Sequence, residues 1–490
     1  MSIMNKWFSK GLLWLFFAHL LTAAVYSQRL KINIEVRPEK PGLLTIRGEF
    51  SEEPVEKDLL FLLSRADSDN LAARIGNLNL FDARGQSIGH RKIAEGAFAA
   101  ERPFSAFVYQ METALPANVL STAHISWIAG QKGVLRLNDL LPRFEAFYPT
   151  EVSLALPAGW ETASSEKISA GRSFSVKNPE NAFFIVGRGW NDLRFKVSRS
   201  NVTLIVDEKW NIDRSFLERS VREILLKYES YFGLIPQTDL LLVNFGFPAD
   251  VGFDRWRAES FGGNVLIMTA PPVFESRLRQ RMLEQFRHEL FHLWMPNNLA
   301  LEGDFAWFYE GFAQYSALKA GLALNHITFS DFLQTLEQAV DLAGRRSQPL
   351  SLIEASKSRW TGENSSVYAK GLAVAFLFDA ALIKQSGGRR DLISMLGEIY
   401  EKFKKPGRAE DGNRALLEII NRNGALSAIA ADYVTGEKKL DFEKHLEQTG
   451  IEISTGRTGV RFRVKEKLTG REKDFLDKLG YNNWRKNLKR

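Results

Sequence analysis

The chain holds seven histidines, and only His288 and His292 lie close together, in the run His288-Glu289-Leu290-Phe291-His292. A spacing of four on a helix brings both imidazoles to one face, roughly 5–6 Å apart at their bases. That geometry suits two ligands of a single metal ion. Glu289 stands one position round the helix, where it reaches a water on that metal without being a ligand, the place of a general base. The chain has no cysteine, which excludes disulfides, iron–sulfur clusters and thiolate zinc sites. Catalytic zinc usually takes three protein ligands, so a carboxylate must complete the set. Glu302, Asp304 and Glu310 follow in sequence. Glu302 and Asp304 flank Gly303 in a polar turn, whereas Glu310 lies within Trp307-Phe308-Tyr309-Glu310-Gly311-Phe312. A carboxylate among aromatic side chains is costly unless a cation meets it. Glu310 is therefore read as the third ligand of one zinc ion.

These residues need a buried helix to hold them. Leu278, Met282, Phe286, Leu290 and Leu293 recur at helical spacing, and Pro272 and Pro296 bracket the segment, which predicts a helix over 275–294. Imidazoles and a carboxylate on so apolar a helix require partners, and a metal supplies them. No phosphate-cradling glycine loop or nucleophilic serine elbow accompanies the motif, and Gly387-Gly388 reads as a helix stop.

His288-Glu-Leu-Phe-His-Leu-Trp followed by Trp307-Phe-Tyr-Glu-Gly-Phe-Ala resembles the zinc peptidases with two histidines and a distant glutamate, and is most similar to the glycyl-aminopeptidase family of the thermolysin-like superfamily. The resemblance extends over roughly 30–450 and includes Val367-Tyr368-Ala369-Lys370-Gly371. It implies a thermolysin-like catalytic domain, with a mixed α/β lobe and a helical lobe, that hydrolyses peptide bonds with metal-activated water. It also implies an oxyanion-stabilising role for Tyr368. It places Gln314, four residues after Glu310, where relatives carry an aspartate that orients a ligand histidine. Gly262, Gly263, Asn264 and Val265 fall where the substrate-binding strand is expected, and residues 260–268 would hold the peptide as an added strand. Val265 stands where the family carries the glutamate that grips a free α-amine, with Glu259 upstream, so the resemblance leaves endopeptidase and aminopeptidase action both open. About 50 residues follow Leu440, too few for the family's C-terminal PDZ domain.

Around this core the texture changes along the chain. Lys6 and Lys10 precede an apolar run from Gly11 to Ala24, and Val25 and Ser27 are small residues before Gln28. This order predicts a secretory signal peptide over 1–27 and a periplasmic or secreted protein, with a retained anchor as the alternative. Period-two runs such as Leu30–Val36 predict an N-terminal β-sandwich over 28–200. An α/β catalytic subdomain over 201–345, a helical subdomain over 346–440 and a weakly periodic basic tail over 441–490 follow. The formal charge of +7 belongs to the ends. The last 40 residues carry a net +7 and the first 27 carry +2, leaving 28–450 at −2. A nucleic-acid partner is not expected; a peptide or protein substrate is, with weak contact of the tail to an anionic envelope surface. Two other functions fit the same residues less fully: a zinc-binding peptidase fold acting as a binding or chaperone-like factor, and a β-sandwich binding protein with an incidental motif.

Overall fold

The computed structural model describes residues 29–490 except 52–55, 145, 211, 273, 275, 346–349, 457–458, 484 and 486–490. The segment 1–27, read as a signal peptide, lies outside the described residues. The chain divides into two compact units. One takes in the N-terminal region up to Gly187; the other runs from Arg188 onward and also includes Arg65–Ser68 and Leu115–Ile125.

The first unit is built of sheets. An eight-stranded sheet has the spatial order Lys167–Ala170, Ser173–Val176, Thr150–Ala155, Leu30–Val36, Leu43–Phe50, Ala106–Glu112, Ile75–Phe81, Ser87–Ile88. A four-stranded sheet joins Glu161–Ala163, Phe183–Gly187, Lys132–Arg136 and Trp127–Ala129. Leu30, Ile32, Ile34 and Val36 alternate inward while Lys31 and Asn33 face out, as a half-buried strand requires. They share one core with Leu135, Phe184 and Val186 of the smaller sheet, so two sheets pack face to face.

The second unit opens with a five-stranded mixed sheet in the order Trp190–Val197, Ser200–Asp207, Asp239–Gly246, Asn264–Thr269, Trp256–Phe261. The boundary therefore falls at 187/188 and not near 200, because Trp190–Val197 pairs along its whole length with Ser200–Asp207. The inner strands Asp239–Gly246 and Asn264–Thr269 are parallel and almost wholly buried, which explains their continuous apolar runs. Helices follow. Ser276–Phe291 packs on Arg214–Phe232, where Tyr228 and Phe232 meet Phe291 and Trp294, and the Trp294 indole donates to the Gly233 carbonyl at 3.1 Å. Asn364–Ser386 is the long apolar helix at the centre of the helical part, with 83% of its most apolar stretch buried. Buried on all sides, it is a core helix.

Two expected divisions are corrected. The subdomains 201–345 and 346–440 form one unit with one continuous core. The stretch 441–490, expected as a weakly periodic basic tail, is folded: its described residues form Phe442–Leu446, the hairpin Ile451–Gly456 with Gly459–Val464, and the helix Gly470–Leu479. Phe462, Phe475, Leu476 and Leu479 are buried. The backbone amides of Val460 and Phe462 donate to Asp341 and Glu337 at 2.8 and 2.7 Å, and the buried Lys319 ammonium donates to the Leu479 carbonyl at 3.0 Å. Its high charge masked the apolar positions because lysine and arginine cover the outer faces of these short elements.

Candidate metal centre and active site

Helix Ser276–Phe291 carries His288 and Glu289, and His292 follows in the turn that ends it, its amide bonding the Glu289 carbonyl at 3.1 Å. All three are buried and their ligand atoms lie within 4.8 Å of one another. Glu310 arrives from a π turn, Trp307–Gly311. Its Oε2 lies 3.2 Å from His288 Nε2 and 3.6 Å from His292 Nε2, and the two Nε2 atoms are 3.2 Å apart. Zinc–nitrogen and zinc–oxygen bonds of about 2.0–2.2 Å in a tetrahedron put ligand atoms about 3.3–3.6 Å from each other. The three separations match that edge length, so the residues fit a zinc ion.

Glu289 is the nearer acid in sequence, yet its Oε1 is 3.9 Å from His288 Nε2 and its Oε2 accepts a hydrogen bond from Ser260 Oγ at 2.7 Å. Glu310 thus lies closer to both imidazole Nε2 atoms, and Glu289 stands beside them, held by Ser260. The orientation of His292 is set by Nδ1, which lies 3.0 Å from the Met295 carbonyl and so carries the proton, leaving the Nε2 lone pair inward. Burial alone would raise the Glu310 carboxyl, but Arg359, followed by the two histidines, holds it well below the usual carboxylate range. Arg359 Nη2 contacts Glu310 Oε1 at 2.6 Å and lies 3.3 Å from the Tyr368 hydroxyl, while Nη1 meets the Tyr309 hydroxyl at 3.2 Å. Tyr368 stands on the central helix with its ring 5.9 Å from that of His288. Burial, then the nearby Glu310 charge, pushes its phenol far above the ordinary value, so it stays protonated and able to donate.

The cavity at this centre measures about 330 Å³. Glu289, His292, Glu310, Tyr368 and Arg359 line it together with Ser260. Arg359 escaped the sequence reading because it belongs to no local pattern, 49 positions beyond Glu310; Ser260 fell within the expected strand 260–268, but its bond to Glu289, 29 positions on, left no mark in the sequence.

Two placements are corrected. Gln314 orients neither histidine: it lines a separate groove with Arg287 and Gln338, and His288 Nδ1 has no partner among the described residues. A residue four positions on shares a helix face only in a regular α-helix, and the π turn at Trp307–Gly311 inserts a residue that rotates Gln314 away. The substrate strand is also displaced. Gly262 and Gly263 form the two-residue turn of a hairpin, Gly262 with a positive φ of 57°. Asn264 and Val265 sit on an inner strand, buried and paired on both sides. The cavity is lined instead by Ala258, Glu259 and Ser260 of the edge strand Trp256–Phe261.

No protein-family model matches the sequence, and no curated protein does. Solved structures do match. A protein of the aminopeptidase N family from Idiomarina loihiensis superposes with a TM-score of 0.74 at 17% identity, over 87% of this chain and 79% of that one. An M1 zinc metallopeptidase from Deinococcus radiodurans, solved as a mutant with a Tyr-Ser-Ala substrate, gives 0.57 at 16% over 85% and 95%. A two-domain M1 zinc metallopeptidase mutant with bound L-tryptophan gives 0.53 at 16% over the same shares. The chain therefore has the multidomain fold of the M1 zinc metallopeptidases, a sheet-rich N-terminal part followed by a helix-rich part.

Proposed function

We propose that the protein is an exported zinc peptidase of thermolysin-like type, with His288, His292 and Glu310 as zinc ligands, Glu289 as general base and Tyr368 as oxyanion donor. The convergence of three donor atoms at tetrahedral spacing, with a carboxylate beside them that is held out of the ligand set, carries the reading. The M1 likeness supports it, and one such neighbour was solved with a peptide substrate. The glycyl-aminopeptidase resemblance rests on the motif residues alone. Zinc, when bound, would supply a water of near-neutral pKa and polarise the scissile carbonyl. Glu289, steadied by Ser260, is placed to accept a proton and return it to the leaving amine. The Tyr368 phenol donates to the oxygen on which negative charge develops, and Arg359 fixes where that phenol points. The edge strand Trp256–Phe261 offers main-chain groups to an extended peptide. Export rests on the pattern from Lys6 to Ser27, and the envelope contact on the basic residues after 450; cell fractionation tests both.

The deciding experiment is Glu289→Gln in the purified protein. Elemental analysis should find one zinc per chain in wild type and in the variant, and none after His292→Ala. Hydrolysis of a peptide library should fall by several orders of magnitude in Glu289→Gln; full activity refutes the assignment of the base, and a zinc-free wild type refutes the centre.

A further inference from the structure

Beside the metal centre, the same cavity holds a third carboxylate, Glu259, which belongs to neither the ligand set nor the base. Both of its oxygens are engaged. Arg65 Nη2 donates to Oε1, and His124 Nδ1 lies 3.0 Å from Oε2; since a carboxylate only accepts, that nitrogen carries the proton. Arg65 and His124 come from the two N-terminal segments that fold with the second unit, Arg65–Ser68 and Leu115–Ile125. His124 is 4% exposed and its ring packs edge-on against Trp360, 5.4 Å away, so the pair is anchored, not a passing surface contact.

A peptide with a free amino end brings an ammonium group, which binds in a small cavity by meeting an unpaired carboxylate. Of the three carboxylates only Glu289 lacks a guanidinium partner, and it stands beside the ligand set as the proposed base. Arg65 occupies Glu259 and Arg359 occupies Glu310. With the histidines neutral, Glu259, Glu289, Glu310, Arg65 and Arg359 sum to −1, and a bound divalent cation turns that to +1. Arg65 Nε, Asn297 Nδ2 and Arg359 Nε lie buried behind the cavity surface without an acceptor among the described residues.

We infer that Arg65, with His124 behind it, closes Glu259 to a free α-amine and makes the cleft one for peptides whose amino end is blocked or continues beyond the site, so that internal peptide bonds are cut. Arg65 is then the specificity-determining residue. The inference rests on the peptidase reading above.

The test uses the full zinc-loaded protein and a neutral pentapeptide amide in two forms, free and acetylated at its amino end. Wild type should cleave the acetylated form with a kcat/KM at least equal to that of the free form. Arg65→Met, which removes the charge and keeps most of the length, should shift the ratio towards the free peptide by about tenfold, and Arg65→Lys should hold the wild-type ratio. Cleavage of the free form alone by wild type overturns the inference and leaves the peptidase reading standing, as does an unchanged ratio in a folded Arg65→Met. If that variant does not fold, the wild-type ratio decides by itself. Failure of wild type to cleave either form overturns the peptidase reading, and the inference with it.

Discussion

Glu289 and Glu310 are both buried carboxylates, and their roles separate through their partners. Glu310 faces two imidazoles and a guanidinium, whereas Glu289 faces a serine hydroxyl and keeps its other oxygen towards the cavity. The proposal that Glu289 is the base rests on Ser260 as much as on the motif. Replacing Ser260 by alanine frees the Glu289 carboxylate to rotate, and kcat should fall by about tenfold, a loss of ~1.4 kcal/mol in the barrier term, with zinc content unchanged. On the proposed mechanism, Tyr368→Phe removes a single donor to the developing oxyanion. Steady-state kinetics should show kcat reduced by about a hundredfold and KM little altered, since removal of one such donor typically costs 10²–10³ in rate. A fall in KM affinity with kcat preserved would instead make Tyr368 a wall of the binding cleft.

Among the elements, one contact determines how the third ligand meets the tyrosine. The π turn Trp307–Gly311 crosses the central helix Asn364–Ser386 at Gly311 and Gly371, where the backbones approach so closely that a Cβ on Gly371 would lie 2.8 Å from the Gly311 Cα and 3.0 Å from the Trp307 carbonyl oxygen. Glu310 precedes one glycine and Tyr368 stands three residues before the other, so the crossing fixes the distance between them. Gly371→Ala gains up to about 1 kcal/mol of helix propensity but overpacks against backbone that has no rotamer to yield, at about 1–3 kcal/mol. Overpacking wins: the variant should melt at a lower temperature and retain less zinc, by thermal unfolding and elemental analysis. The helix Ser276–Phe291 was legible because its apolar stripe repeats every three to four residues over four turns. The π turn was not, since an inserted residue leaves no periodic mark, and with it went the placement of Gln314.

At the scale of the whole molecule, the C-terminal segment is part of the second compact unit, which holds the candidate site. Truncation after Leu440 removes Phe442, Phe462, Phe475, Leu476 and Leu479 from the core and strips Lys319 Nζ of its Leu479 acceptor, leaving the buried Asp379 carboxylate at 3.1 Å. Each large core side chain lost costs about 2–5 kcal/mol, against a total stability of about 5–15 kcal/mol. The truncated protein should fail to fold as a soluble, zinc-binding unit, judged by circular dichroism and gel filtration; a folded, active product would show these elements to be dispensable. The +7 of the chain thus has a folded owner in part, with basic side chains lying outside a buried apolar seam.

The proposed site residues and their order along the chain are legible in the sequence alone. His288, Glu289, His292 and Glu310 announce themselves because few residue types ligate metal, histidines are scarce, no cysteine competes, and helical spacing converts separation into a shared face. The alternation of Leu30–Val36 and the apolar runs of the inner strands were equally readable, for burial repeats with the period of the backbone. Tertiary structure alone decided what surrounds that chemistry. Arg65, His124 and Arg359 lie far apart in the chain and follow no period, so nothing local marks them, and nothing local ties Ser260 to Glu289. They reach the cavity only because sheet, π turn and central helix converge there. Which strand forms the edge of the sheet is likewise a matter of order in space, and that order makes Trp256–Phe261, and not Asn264–Thr269, the wall of the site.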